Sequence, residues 1–167
     1  MAGRVTSVFH AVIVVPDLDA ALHFYRDLLG LTVTLRWEHD PSTLSKLTGY
    51  PDPMGSAATL VAPDGTELEV AEFRRPKGRT RVEKRWEDAG LSFITLTCDD
   101  LAAVVTRLRA AGTPFVSDIV DYLLEDGATV RVVYCFAPEG TTVTLIQLPS
   151  GRIRLATPTR DDREGQP

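Results

Sequence analysis

The chain repeats itself, and this constrains its fold more than any single motif does. Residues 8–15 (VFHAVIVV) form an apolar run followed by PDLDAALHFYRDLLG, and residues 91–98 (LSFITLTC) form another followed by DDLAAVVTRLRAAG. After Asp17, the residues Leu18, Ala21, Leu22 and Tyr25 make a helical stripe, and Leu101, Val104, Val105 and Leu108 make the matching stripe after Asp100. Each Asp stands where a carboxylate can accept the free N–H groups of a helix's first turn. Gly30 and Gly112 stand where the helices stop. Self-similarity at this scale means one supersecondary unit used twice.

The halves also end alike. LVAPDGTELEVAEF (residues 60–73) and CFAPEGTTVTLIQLP (residues 135–149) each read as strand, Pro-acid-Gly turn, strand. A turn of that kind joins antiparallel strands. Each half therefore predicts strand, helix and three strands, an α+β class with two tandem βαβββ modules. The first spans 7–73 and the second 90–149, with a linker at 74–89 rich in Arg and Lys and a polar tail at 150–167. The basic linker reads as a solvated connection, or as a lip that attracts an anionic ligand.

Composition narrows the function classes. A net charge of -5 argues against nucleic acid as the partner, since phosphate contacts need a basic face. No apolar window reaches the length of a membrane span, and the first residues lack the apolar core of a secretory signal. Cys98 and Cys135 lie far apart in apolar runs, which suits reduced thiols. The expectation is a cytoplasmic protein with neither membrane nor nucleic-acid partner. No P-loop, dinucleotide fingerprint or nucleophile elbow occurs.

His10 inside the first apolar run, the stretch V-x-D-L-D-x-A-x-x-F-Y-x-x-L-L-G after it, and P-D-G-x-x-x-E-L at the module end resemble the vicinal oxygen chelate superfamily. That superfamily includes glyoxalase I, extradiol dioxygenases and bleomycin-binding resistance proteins. The resemblance covers residues 7–149 and implies that the sheets curve around a shared cavity. It also implies metal ligands on the first and last strands of each module. His10 and Glu69 match in the first module. The counterparts in the second are Phe93, which stands before Asp100 as His10 stands before Asp17, and Thr144, which comes after Pro138 as Glu69 comes after Pro63.

A phenyl ring offers no lone pair, and a Thr hydroxyl replaces a carboxylate poorly. Divalent ions in catalytic sites take about three protein ligands or more. The cofactor expectation is therefore none, or a weakly held divalent metal ion on His10 and Glu69. Phe93, Thr144, Trp37, Tyr134 and Tyr50 are candidates to line the substrate cavity, although Phe93 can equally be core and any one of Trp37, Tyr134 and Tyr50 is more often packing than recognition. With Thr95, Thr97 and Thr142 they suit an uncharged organic ligand. Glu67 shares the strand face of Glu69 and, being nearer the turn, is expected in solvent. His23 and His39 are expected on the surface.

Three functions are compatible with these residues. One is an enzyme using His10 and Glu69 as acid and base in isomerase, cyclase or lyase chemistry beside a carbonyl. Another is a small-molecule (drug) binding or self-resistance protein without chemistry. The third is a metal-dependent glyoxalase- or dioxygenase-like enzyme. Retention of an ionisable pair in an apolar hollow favours the first. The resemblance also implies a homodimer.

Overall fold

A computed structural model describes residues 4–78, 86, 93–124 and 126–150. Most of the 74–89 linker and all of the tail beyond residue 150 lie outside the described residues.

The first module runs β1 (Ala11–Val15), α1 (Leu18–Leu22), β2 (Thr32–Glu38), α2 (Pro41–Thr48), β3 (Met54–Val61) and β4 (Glu67–Arg75). The second runs β5 (Phe93–Thr97), α3 (Leu101–Ala110), β6 (Val120–Leu123), β7 (Thr129–Phe136) and β8 (Thr142–Gln147). The sheets have the same order, β1-β4-β3-β2 and β5-β8-β7-β6. In each, the first strand lies parallel to the last and the remaining pairs are antiparallel. These are the tandem βαβββ modules of an α+β fold.

The caps work as the sequence suggests. Asp17 accepts from Ala20 N at 2.9 Å and Asp100 from Ala103 N at 3.0 Å. Gly30 and Gly112 take positive φ of 82° and 78°, which a side chain would oppose. One difference lies between them. After Leu22, α1 widens into a π-helical segment, His23–Leu28, in which Leu29 N donates to Phe24 O at 3.0 Å. The widening leaves Phe24 and Tyr25 both buried.

A second difference is α2, in a stretch whose turn residues read as a loop. Asp40 accepts from Thr43 N at 2.9 Å, and Pro41 opens the helix with a φ already suited to it.

One hydrophobic core joins the modules. Ile13, Val15, Leu68 and Val70 from the inner face of the first sheet pack with the helices, and Val133, Cys135, Val143 and Leu145 do so from the second. Polar ties also bridge the halves: the Tyr25 hydroxyl donates to Glu139 Oε1 at 2.8 Å, and Arg107 Nε donates to Leu28 O at 2.7 Å. The opposite face of each sheet is left open. Val12, Val14 and Leu35 are exposed on the first, and Phe93, Val120 and Tyr122 on the second.

Candidate functional site

The parallel pairing of β1 with β4 builds the site. Val12 stands opposite Glu69 and Ala11 opposite Leu68. Carried back one residue, that register sets His10 opposite Glu67. Side chains repeat with period two along a strand, so Glu67 and Glu69 point to the same open face, on either side of His10. Leu68 and Val70 point into the core and fix the register, since a slip of one residue would bury the carboxylates.

The outcome is a three-residue cluster. His10 Nε2 lies 3.4 Å from Glu69 Oε2, and His10 Nδ1 lies 3.9 Å from Glu67 Oε2. Exposure rises through the cluster: the side chains are 14% exposed at Glu69, 21% at His10 and 36% at Glu67. Glu67 is therefore only half in solvent, against the sequence expectation, because the imidazole beside it covers one flank. His10 Nδ1 is itself buried and has no hydrogen-bond partner. The Phe9 ring lies over the imidazole, 4.7 Å between centroids.

The equivalent positions on the second sheet are an uncharged wall. Phe93 stands opposite Thr142, and Thr95 opposite Thr144, which in turn stands opposite Tyr134. The rings of Phe93 and Tyr134 are 6.1 Å apart, and Trp86 lies 5.3 Å from the first and 5.5 Å from the second. Sequence reasoning missed Trp86 because it sits among the linker's charges, which draw attention to solvation. Beside Tyr134 a hollow of about 350 Å³ is lined by Val120, Tyr122, Val130, Val132, Ile146 and Ser117. The polar side chains in its lining are those of Ser117, Tyr122 and Tyr134.

The remaining candidates lie elsewhere. Trp37 is on β2, opposite Ala57, with its ring 5.8 Å from that of His39. Tyr50 comes just after α2 and is exposed. Among the described residues, no hydrogen bond, ion pair or ring contact joins His10 or Glu69 to Phe93, Tyr134, Thr144, Trp37 or Tyr50. The imidazole–carboxylate cluster and the aromatic–threonine wall occupy the open faces of different sheets.

Within one chain, the described residues do not assemble the ligand set of a tightly held divalent ion. No group of three His, Cys, Asp or Glu side chains among the described residues is arranged to hold one. Glu67 and Glu69 face opposite nitrogens of the His10 ring, so one ion cannot take a ring nitrogen and both carboxylates. A catalytic centre of the usual kind requires about three protein ligands.

Comparison with known proteins agrees with the fold. A curated relative, 2-epi-5-epi-valiolone epimerase from Actinomyces sp, is 29% identical over 161 residues, covering 90% of this chain and 86% of that protein. A glyoxalase family protein from Bacillus cereus superposes with a TM-score of 0.76 at 23% identity, covering 87% of this chain and 96% of that one. Trypanothione-dependent glyoxalase I from Leishmania major superposes at 0.59, also at 23% identity, covering 86% and 87%. The family model for the Glyoxalase/Bleomycin resistance protein/Dioxygenase superfamily matches residues 7–145, and the chain belongs to that superfamily.

Proposed function

We propose that the protein is an acid–base isomerase that epimerises a small organic compound at a carbon next to a carbonyl, with His10 and Glu69 as its catalytic residues. The observation that carries this reading is the 3.4 Å approach of His10 Nε2 to Glu69 Oε2, in a half-buried setting. One group of the pair removes the proton from carbon while the other protonates the carbonyl oxygen, giving an enol. Return of a proton to the opposite face of that carbon, with loss of the oxygen-bound proton, inverts the centre. The Actinomyces relative is an epimerase by name, which supports isomerase chemistry here.

The site works in a homodimer. Each open face carries exposed apolar side chains, among them Val14 at 60% and Tyr122 at 63%, which a second copy would remove from water. Setting one copy's second sheet over the other's first would roof His10 and Glu69 with Phe93, Thr144 and Tyr134, while Trp37 and Tyr50 contribute from the rim.

The test uses 2-epi-5-epi-valiolone as the first probe, in D2O, monitoring inversion and deuterium uptake by NMR. The wild-type protein exchanges and inverts the probe, and Glu69→Gln or His10→Ala slows both by about 10²- to 10⁴-fold. Full activity in both folded variants would end this reading.

A second reading is sequestration of a neutral organic compound. The 350 Å³ hollow beside Tyr134, with no charged group in its lining, favours it. Tight binding of a compound that is recovered unchanged after long incubation would select it.

A further inference from the structure

We propose that Thr59 is a binding residue of the same site and selects an α-hydroxyketone, its hydroxyl hydrogen-bonding the oxygen carried by the carbon that reacts. The inference rests on the acid–base reading above and narrows its substrate class. Three observations carry it. Thr59 stands directly opposite Glu69 in the pairing of β3 with β4. Its neighbours Ala58 and Leu60 belong to the core, so the alternation of the strand puts the Thr59 side chain on the open face with the carboxylate. Thr59 is only 9% exposed, yet no hydrogen bond joins its hydroxyl to another of the described residues.

Helical hydroxyls in this chain are satisfied locally: those of Thr48 and Thr106 each donate to the carbonyl four residues back, at 2.8 Å. Thr59 lies instead between β2 and β4, where the ladders engage the backbone groups. A hydroxyl nearly out of water and without a partner is costly to keep, and a ligand oxygen removes that cost. Residues directly opposite each other on one face hold their Cβ atoms about 4.5 to 5.5 Å apart. A group that meets both side chains at once is therefore small: a carbon whose hydrogen faces the carboxylate and whose oxygen faces the hydroxyl. In the reaction proposed above, that carbon is also next to a carbonyl, so the substrate is a ketone with a hydroxyl on the reacting carbon. The Thr59 hydroxyl can donate to this oxygen or accept from it, and it keeps its own proton in both roles. Val12 flanks Glu69 and Leu35 flanks Thr59, both more than half exposed. These apolar shoulders offer the substrate oxygen no other hydrogen bond.

The test uses Thr59→Val, which replaces the hydroxyl with a methyl group of similar size, and Thr59→Ser, which keeps a hydroxyl. A hydrogen bond present before and during the chemical step acts on binding. With 2-epi-5-epi-valiolone in D2O, Thr59→Val should therefore raise KM about 10-fold with kcat little altered, and Thr59→Ser should recover most of the loss. Thr59→Val should also melt no lower than wild type, because a methyl group needs no partner; a clear drop would show that the hydroxyl serves the fold and would overturn the proposal. Substrate class is read from hydrogen exchange next to the carbonyl in 2-hydroxycyclohexanone and cyclohexanone, after subtraction of the uncatalysed rates. Thr59→Val should cut the preference for the hydroxylated ketone about 10-fold. An unchanged KM and an unchanged preference in folded Thr59→Val overturn the assignment, even with Glu69→Gln and His10→Ala inactive. Binding of 2-epi-5-epi-valiolone is measured separately by calorimetry in Glu69→Gln, with and without Thr59→Val. Weaker binding on adding Thr59→Val, together with full turnover by Glu69→Gln and His10→Ala, would end the acid–base reading while leaving Thr59 as a ligand-binding residue. A wild-type protein that neither binds nor turns over any of these ketones overturns both.

Discussion

Tyr25, on the helix of the first module, donates its hydroxyl to Glu139 in the Pro-acid-Gly turn of the second, 2.8 Å away, and is fully buried while doing so. Burial first, and then the Glu139 carboxylate, hold the phenol protonated well above the usual tyrosine range. The other carboxylate oxygen, Oε2, is buried without a partner. The hydroxyl is thus the main polar compensation of a half-buried acid at the seam between modules.

Tyr25→Phe removes that compensation and leaves both Glu139 oxygens short of donors. The expected cost is about 2 kcal/mol, the range for a hydrogen bond to a charged group, read as a lower urea midpoint with an unchanged m-value. Glu139→Gln in the Phe background should recover part of it, since an amide tolerates the site better than an unpaired charge. A midpoint equal to wild type in Tyr25→Phe would show that the seam is held by packing alone.

Val14 tests the closure of the open faces. It is 60% exposed in one chain, so Val14→Glu should cost an isolated chain no more than about 0.5 kcal/mol. In a dimer that covers this face, the same change buries an unpaired charge. Sedimentation velocity should show wild type as a dimer and Val14→Glu as a monomer, with turnover lost and the melting profile of the single chain retained.

Phe93 tests the missing donors. Phe93→His places an imidazole where the second module has a phenyl ring, and with His10 and Glu69 makes three donors, the number catalytic zinc sites use. In the closed dimer the variant should gain a zinc or nickel ion per chain by elemental analysis, while wild type after the same treatment holds far less than one. Dialysis of wild type against EDTA should leave isomerase turnover unchanged.

The thiols give a pH dependence whose sign is set by burial. Cys98 is pushed up to about 11 by burial and then by Asp99, and Cys135 to about 12 by burial and then by Cys98, both from an ordinary value of 9.0. The folded chain therefore keeps protons that the unfolded chain loses above pH 9. This contribution to stability is fully present below about pH 9 and is lost as pH rises toward 11 and 12. Urea midpoints should fall across that window and be restored by Cys98→Ser only in part. At about pH 8, iodoacetamide should modify neither thiol in the native protein.

Much of this architecture is legible in the sequence because each signal acts locally. Asp17 and Asp100 can cap only the turn directly after them, and the stripe Leu18, Ala21, Leu22 and Tyr25 can bury only one face of a helix. Every member of that stripe is buried. The helix at Pro41–Thr48 is hidden because Asp40-Pro41 is both a turn signal and a helix start, and the flanking Gly49, Pro51 and Pro53 favour the first reading. The π-helical widening at His23–Leu28 has no local signal, since packing decides it. Nearness to a turn makes Glu67 read as solvated. Its actual place is set by the register of β1 on β4, a contact between distant parts of the chain that no window of sequence contains.

That parallel pairing also bears on when activity can first exist. His10 precedes the first strand of its module and Glu69 belongs to the last, so the two become neighbours only after the longest loop in that half has closed. No fragment lacking either end, and no intermediate with β1 and β4 still apart, brings the pair together. If the pair is catalytic, recovery of turnover on refolding should track the slowest phase rather than the gain of helix.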